Sequence, residues 1–234
     1  MAKERGGVID QAAAEALLRR YLDERGWRYE WEQREFGGKR PDAVILSESG
    51  EPIAVIGAVA VDEDAELGHM VQEALACGME QASPVAEAGL PYLLAAYIPG
   101  CPPLERIAPL IIENLRQFPA ISAFGILREL DVAVVKKYTE FAKQHPYNPP
   151  LPTPTLTVIE ILLNPCTRIA WREGLWGATD EVWGWVENLQ EFQTIHDGRW
   201  WGLYRLFSLA GSVSAPFKEG VKMSRSENFY EERE

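Results

Sequence analysis

Cysteine is scarce in this chain: three residues in 234, at Cys77, Cys101 and Cys166. Their number is odd and their spacing wide, which argues against a disulfide framework, and they lack the paired spacing of a zinc site. Long hydrophobic runs are missing too. No stretch approaches the roughly 20 apolar residues of a membrane span, and no charged-then-apolar signal peptide opens the sequence. The expectation is a cytoplasmic protein with reduced thiols and no membrane partner. Positive charge is also in short supply, with 23 Lys and Arg against 35 Asp and Glu and a net charge of -12. A nucleic-acid binder gains much of its affinity by neutralising phosphates with Lys and Arg. Strong non-specific DNA binding by the isolated chain is therefore disfavoured, although a local basic patch stays open. Apolar residues are plentiful at 47%, ample for a buried core, and the length fits one domain with additions or two small domains.

The stretch from Lys39 to Val61, KRPDAVILSESGEPIAVIGAVAV, organises the chain. Two apolar runs rich in Val and Ile, 43–46 and 53–61, flank a polar turn whose Gly50 supplies permissive backbone. They read as a strand hairpin, and the second run is apolar at nearly every position, as suits a strand covered on both faces. Pro41-Asp42 stands at the entrance of the first strand, so Asp42 is a site candidate beside its plainer reading as a solvated turn residue.

Around the hairpin, residues 10–25 read as a helix with Asp10 as N-cap, Gly26 as stop and an apolar stripe of Ala14, Leu17, Leu18, Tyr21 and Leu22. Residues 27–36 alternate large apolar and charged side chains, the period of a half-exposed strand. After the hairpin an acidic run, Asp62-Glu63-Asp64-Ala65-Glu66, leads a helical pattern over 65–88 that Pro84 is expected to break midway. A buried strand over 91–97, an amphipathic helix over 104–118, an edge strand over 123–130 and a helix over 132–143 follow. The last carries Lys136, Lys137 and Lys143, a modest basic cluster.

RPDAVILSESGEPIAVIGAVA resembles the core hairpin of the PD-(D/E)XK nuclease superfamily, and most of all that of the nuclease domain at the N-terminus of type I restriction enzyme motor subunits. The likeness covers residues 8–100, and helix, strand, strand, strand is the order that fold requires. It implies a metal-dependent endonuclease site. Asp42 would be the carboxylate of the first strand, Glu15 a second metal ligand on the first helix, and Gln81 the glutamine of the helix that leads into a fourth strand. Mg2+ would be the cofactor of an active form. The pattern then breaks. Gly57 stands where the second strand should carry an acid and Val59 where it should carry a lysine, and Val85 replaces a tyrosine expected four residues after Gln81. Asp62 is the nearest acid that could replace the missing ligand.

The segment 145–155 holds five prolines in eleven residues and reads as a stiff linker. Beyond it, six of the eight tryptophans cluster: Trp171, Trp176, Trp183, Trp185, Trp200 and Trp201. Short runs at 167–171, 182–186 and 200–206 suggest strands, with Asp197-Gly198 as a hairpin turn. Those tryptophans would make a small core or dock on the first domain, or else form an aromatic platform for a flat ligand or a partner chain. The last residues, SRSENFYEERE, read as a frayed tail.

The sequence thus predicts an α/β protein: a restriction-endonuclease-like mixed sheet core flanked by helices over 1–144, a proline-rich linker over 145–155, and a Trp-rich, β-containing region over 156–234. Two functions stay open. One is a catalytically degenerate member kept as a binding or assembly module, partnered by DNA, by protein subunits of a restriction or mobile-element complex, or by a second copy of itself. The other is an active metal-dependent DNA endonuclease, or an inactivated variant of one, using Asp42, Glu15 and a relocated acid.

Overall fold

The computed structural model describes residues 11–61, 67–98, 101, 104–129, 157–177, 180–186 and 191–197. Within them the protein is mixed α/β. The first helix, α1 (Gln11–Glu24), forms from a run of strong helix formers and buries the expected stripe of Ala14, Leu17, Leu18, Tyr21 and Leu22. It stops at Gly26, whose φ of 64° closes the last turn through Gly26 N–H to the Asp23 carbonyl (3.0 Å) and Trp27 N–H to that of Leu22 (3.2 Å). Then come β1 (Tyr29–Trp31), β2 (Ala43–Leu46) and β3 (Pro52–Ala60), with Gly50 (φ 84°) in the turn of the hairpin. Helix α2 (Leu67–Glu87) leads to β4 (Tyr92–Tyr97), and α3 (Leu104–Leu115) to β5 (Ala123–Glu129). Strands β6 (Thr157–Leu163), β7 (Glu181–Val186) and β8 (Glu191–Asp197) complete the described chain.

The eight described strands form one sheet in sequence order. Strands β1, β2 and β3 are an antiparallel meander, β4 and β5 add in parallel, β6 is antiparallel to β5, β7 is parallel to β6, and β8 closes antiparallel. Helices α2 and α3 cover one face, packing on Val55, Tyr92, Leu94, Phe124 and Leu162. Helix α1 covers the other, on Ile45, Ile56, Leu93, Leu127 and Ile161. The alternation of Leu93 and Leu94 between the two cores is the strand period at work. The third parallel crossover, from β6 to β7, lies on the α1 face, where Trp171 and Leu175 join the core. Strand direction reverses at β6, so a right-handed crossover there must cover the face opposite α2 and α3.

Several expectations are corrected. Pro84 does not break α2, which runs on to Glu87. The proline lies in the last turn, where it removes one bond, while Ala82 and Val85 on either side are buried in the core. The half-exposed strand of 27–36 shrinks to Tyr29–Trp31, and Phe36 instead bridges Lys39. β5 is not an edge strand, because β6 pairs along its whole length. The run 167–171 is loop, followed by a 3-10 turn at Glu173–Leu175, and β6 is not among the expected strands. Strands on both sides of the proline-rich segment belong to one sheet. The segment itself, the acidic run with Asp62, the 132–143 lysines, Trp200, Trp201 and the tail lie outside the described residues. Of the tryptophans within them, Trp171 is buried, Trp176 and Trp183 pack on the two cores, and Trp185 meets Phe192 edge-on at 5.3 Å. No described helix is long and apolar enough to cross a membrane.

Candidate functional site

Strand β3 has nine residues and β2 only four, so β3 overhangs its neighbour. Pro41 has no N–H to give to a ladder, and pairing begins after it, at Ala43 opposite Ile56. Odd-numbered residues of β3 bond toward β4, as in Val55 N–H to the Pro91 carbonyl (3.0 Å). Even-numbered residues face β2, and beyond Ile56 no strand among the described residues meets them. A buried, unpaired backbone group is costly, and two side chains take up the load. Asp42 Oδ2 accepts from Ala58 N–H at 2.7 Å. The Gln11 amide, on the first residue of α1, donates to the Ala58 carbonyl and accepts from Ala60 N–H, both at 3.1 Å. The same amide donates to Glu15 Oε1 at 3.2 Å.

Asp42 also receives Glu32 N–H on its carbonyl (2.9 Å), and Glu32 adopts a left-handed φ of 49°, a strained conformation for a non-glycine residue. This brings three acids together. One carboxylate oxygen each from Glu15, Glu32 and Asp42 lies within 4.8 Å of the others. Asp42 is 8% exposed, Glu15 half-buried and Glu32 exposed. Burial pushes the Asp42 carboxyl up to about 6; the Ala58 N–H opposes the shift, while the charges of Glu15 and Glu32 add to it. The cations of the segment between β1 and β2 are engaged elsewhere: Arg34 with Glu30 (2.9 Å), Lys39 with Glu80 (2.6 Å) and Arg40 with Glu35 (3.6 Å). Three hard oxygen donors of this kind suit Mg2+ or a similar divalent ion, so the donor set fits the cofactor that the resemblance implies. Val59 stands where the resemblance implies a lysine.

Gly57 and Val59 project toward α2, with Val59 half-buried against the α2–α3 core. The space over Gly57 is filled. A Cβ there would overlap Tyr92 Oη and come within 2.8 Å of Gln81 Oε1. The Tyr92 hydroxyl donates to Gln81 Oε1 at 2.9 Å, and burial pushes its pKa well up, the charge of Asp42 adding to the effect. The structure therefore joins Asp42 to Glu15. It sets Gln81 on the α2 face, against Tyr92.

Glu32, Gln11 and Tyr92 escaped sequence reasoning. Glu32 falls on an exposed strand face in the sequence pattern, Gln11 follows an expected cap, and Tyr92 sits in a run that reads only as buried. The length mismatch between the two hairpin runs was the one available hint that side chains must finish the β3 edge. Compared with known proteins, the chain matches no family model, no curated protein and no solved structure.

Proposed function

We propose that this chain is a restriction-endonuclease-like protein whose catalytic chemistry has decayed and whose scaffold serves as a binding or assembly module. The observation that carries this reading is the repacked space over Gly57. A point substitution of an acid in a working site leaves a hole, whereas here the Tyr92 hydroxyl occupies that space and is tied to Gln81. Natural decay followed by repacking accounts for this better than deliberate inactivation. Further support comes from the order α1, β1, β2, β3, α2, β4, which is the order the resemblance requires. Between β1 and β2 the cations are paired with acids, which favours a protein partner, such as a subunit of a restriction or mobile-element complex, over DNA.

A second reading, an active metal-dependent endonuclease, is favoured by one observation: Glu32 is a third acid beside Asp42 and Glu15. A bound divalent ion would supply Lewis-acid activation of water and phosphate. Asp42, Glu15 and Glu32 would hold it, and Asp42 would at the same time keep the end of β3 in place.

The test is a supercoiled-plasmid nicking assay with Mg2+ or Mn2+. The natural chain is expected to be silent. A variant rebuilt as Gly57→Glu with Val59→Lys needs Tyr92→Ala as well, because the phenol blocks the new side chain. Nicking by the natural chain that disappears in both Asp42→Ala and Glu32→Gln would overturn the first reading in favour of the second.

A further inference from the structure

Helix α1 carries Gln11 and Glu15 at its start, and its far end is anchored in the region that follows the proline-rich segment. Asp180, just before β7, is fully buried, and Arg25, one residue beyond α1, has a side chain only 7% exposed. Asp180 Oδ1 accepts from Arg25 Nη2 and its Oδ2 from the Tyr21 hydroxyl, each at 2.5 Å. Gly177 N–H completes the carboxylate's shell at 2.6 Å. The Arg25 guanidinium lies 3.5 Å over the Tyr21 ring, and its Nη1 reaches the carbonyls of Tyr21 (3.2 Å) and Thr157 (3.3 Å). Thr157 is also bound through its N–H to Glu24 (3.0 Å) and through its hydroxyl to Arg20 (2.8 Å). Gly177 is required by the close approach, since a Cβ there would overlap Arg25 Nε. The last turns of α1 are thus held by polar contacts to β6 and to the turn before β7, in a buried setting where charge-assisted bonds are strong and directional.

We propose that Asp180 is a positioning residue for the Glu15–Asp42 site, acting through α1. The helix is about 21 Å long at 1.5 Å per residue and holds its contacts at both ends. The Asp180 clasp fixes its rotation and axial position, and those set where Gln11 meets the overhang of β3 and where Glu15 points. The Trp-rich region is then a brace for the site. This inference takes the site from the proposed function, but its test uses neither cleavage nor metal, so the two fail separately.

The experiment is amide hydrogen exchange on the whole chain, as the natural protein and as Tyr21→Phe and Asp180→Asn variants. The readout is Ala60 N–H, which the Gln11 side chain holds, compared with Leu94 and Phe124 in the central strands. If the clasp positions α1, Ala60 exchanges up to about tenfold faster in the variants, the scale of one lost hydrogen bond, while the central amides change less. Tyr21→Phe keeps the Asp180–Arg25 pair and serves if Asp180→Asn does not fold. Equal acceleration of Ala60, Leu94 and Phe124 would show a general loss of stability and overturn the proposal, as would unchanged exchange at Ala60.

Discussion

Asp42 does two jobs with one carboxylate. It accepts the Ala58 N–H that β2 is too short to reach, and it stands among two further acids. A buried acid with acidic neighbours binds its proton more tightly in the folded protein than in the unfolded chain, and here its pKa rises from 3.8 to about 6. The sign follows from linkage. The stabilisation this group offers is fully present below about pH 4 and is lost as pH rises through about 6, a change of about 3 kcal/mol at 1.36 kcal/mol per pH unit. Asparagine imitates the protonated form and can still accept from Ala58. Asp42→Asn is therefore expected to be more stable than the natural protein by up to about 3 kcal/mol at neutral pH, and equal to it near pH 4. Urea melts across that range would show it, and a stability difference that does not vary with pH would refute it.

At the scale of the element, the informative feature is a mismatch in length. β3 outruns β2, and α1 supplies an amide as a substitute for the missing strand. Gln11→Ala would leave the Ala58 carbonyl and the Ala60 N–H to partly exposed surroundings. The expected cost is about 1 kcal/mol, with faster exchange at the end of β3 and little change in β4. A loss of several kcal/mol would mean that Gln11 supports more than the strand end. The same elements show where sequence patterns work and where they fail. The stripe of α1 was legible because five buried side chains recur at helical spacing. The hairpin was legible because Val and Ile runs flank a glycine turn. β6 was not legible: Thr157–Leu163 directly follows a proline-rich run, and its partner β5 lies far back in the chain.

For the molecule as a whole, buried charges join pieces that the sequence keeps apart. Glu160 in β6 is fully buried and accepts from Arg128 Nε of β5 at 2.5 Å and from the Leu104 N–H that begins α3 at 3.3 Å, while Arg128 also donates to the Cys101 carbonyl. This ties together two strands and the start of a helix, much as Asp180 ties α1 to β7. Removing one partner of a buried pair strands the other charge, so Glu160→Ala is expected to cost about 3 kcal/mol, at the lower end of the usual range because Arg128 keeps some exposure. A loss below about 1 kcal/mol in urea unfolding would show that the pair holds little together.

By itself the sequence determined the α/β class, the first helix, the hairpin, the placing of Asp42 at its joint and of Glu15 on α1, and the identities of Gly57 and Val59 in the second strand. Each is local: a period, a turn residue, or the identity of one side chain. Only the tertiary structure decided that Glu32 and Gln11 converge on Asp42, that Tyr92 closes the space over Gly57, and that the strands after the proline-rich segment continue the same sheet. These depend on strand register, on which backbone groups a short neighbour leaves unpaired, and on contacts between residues distant in the chain. No local pattern encodes them, because the requirement to satisfy buried polar groups acts on the assembled fold.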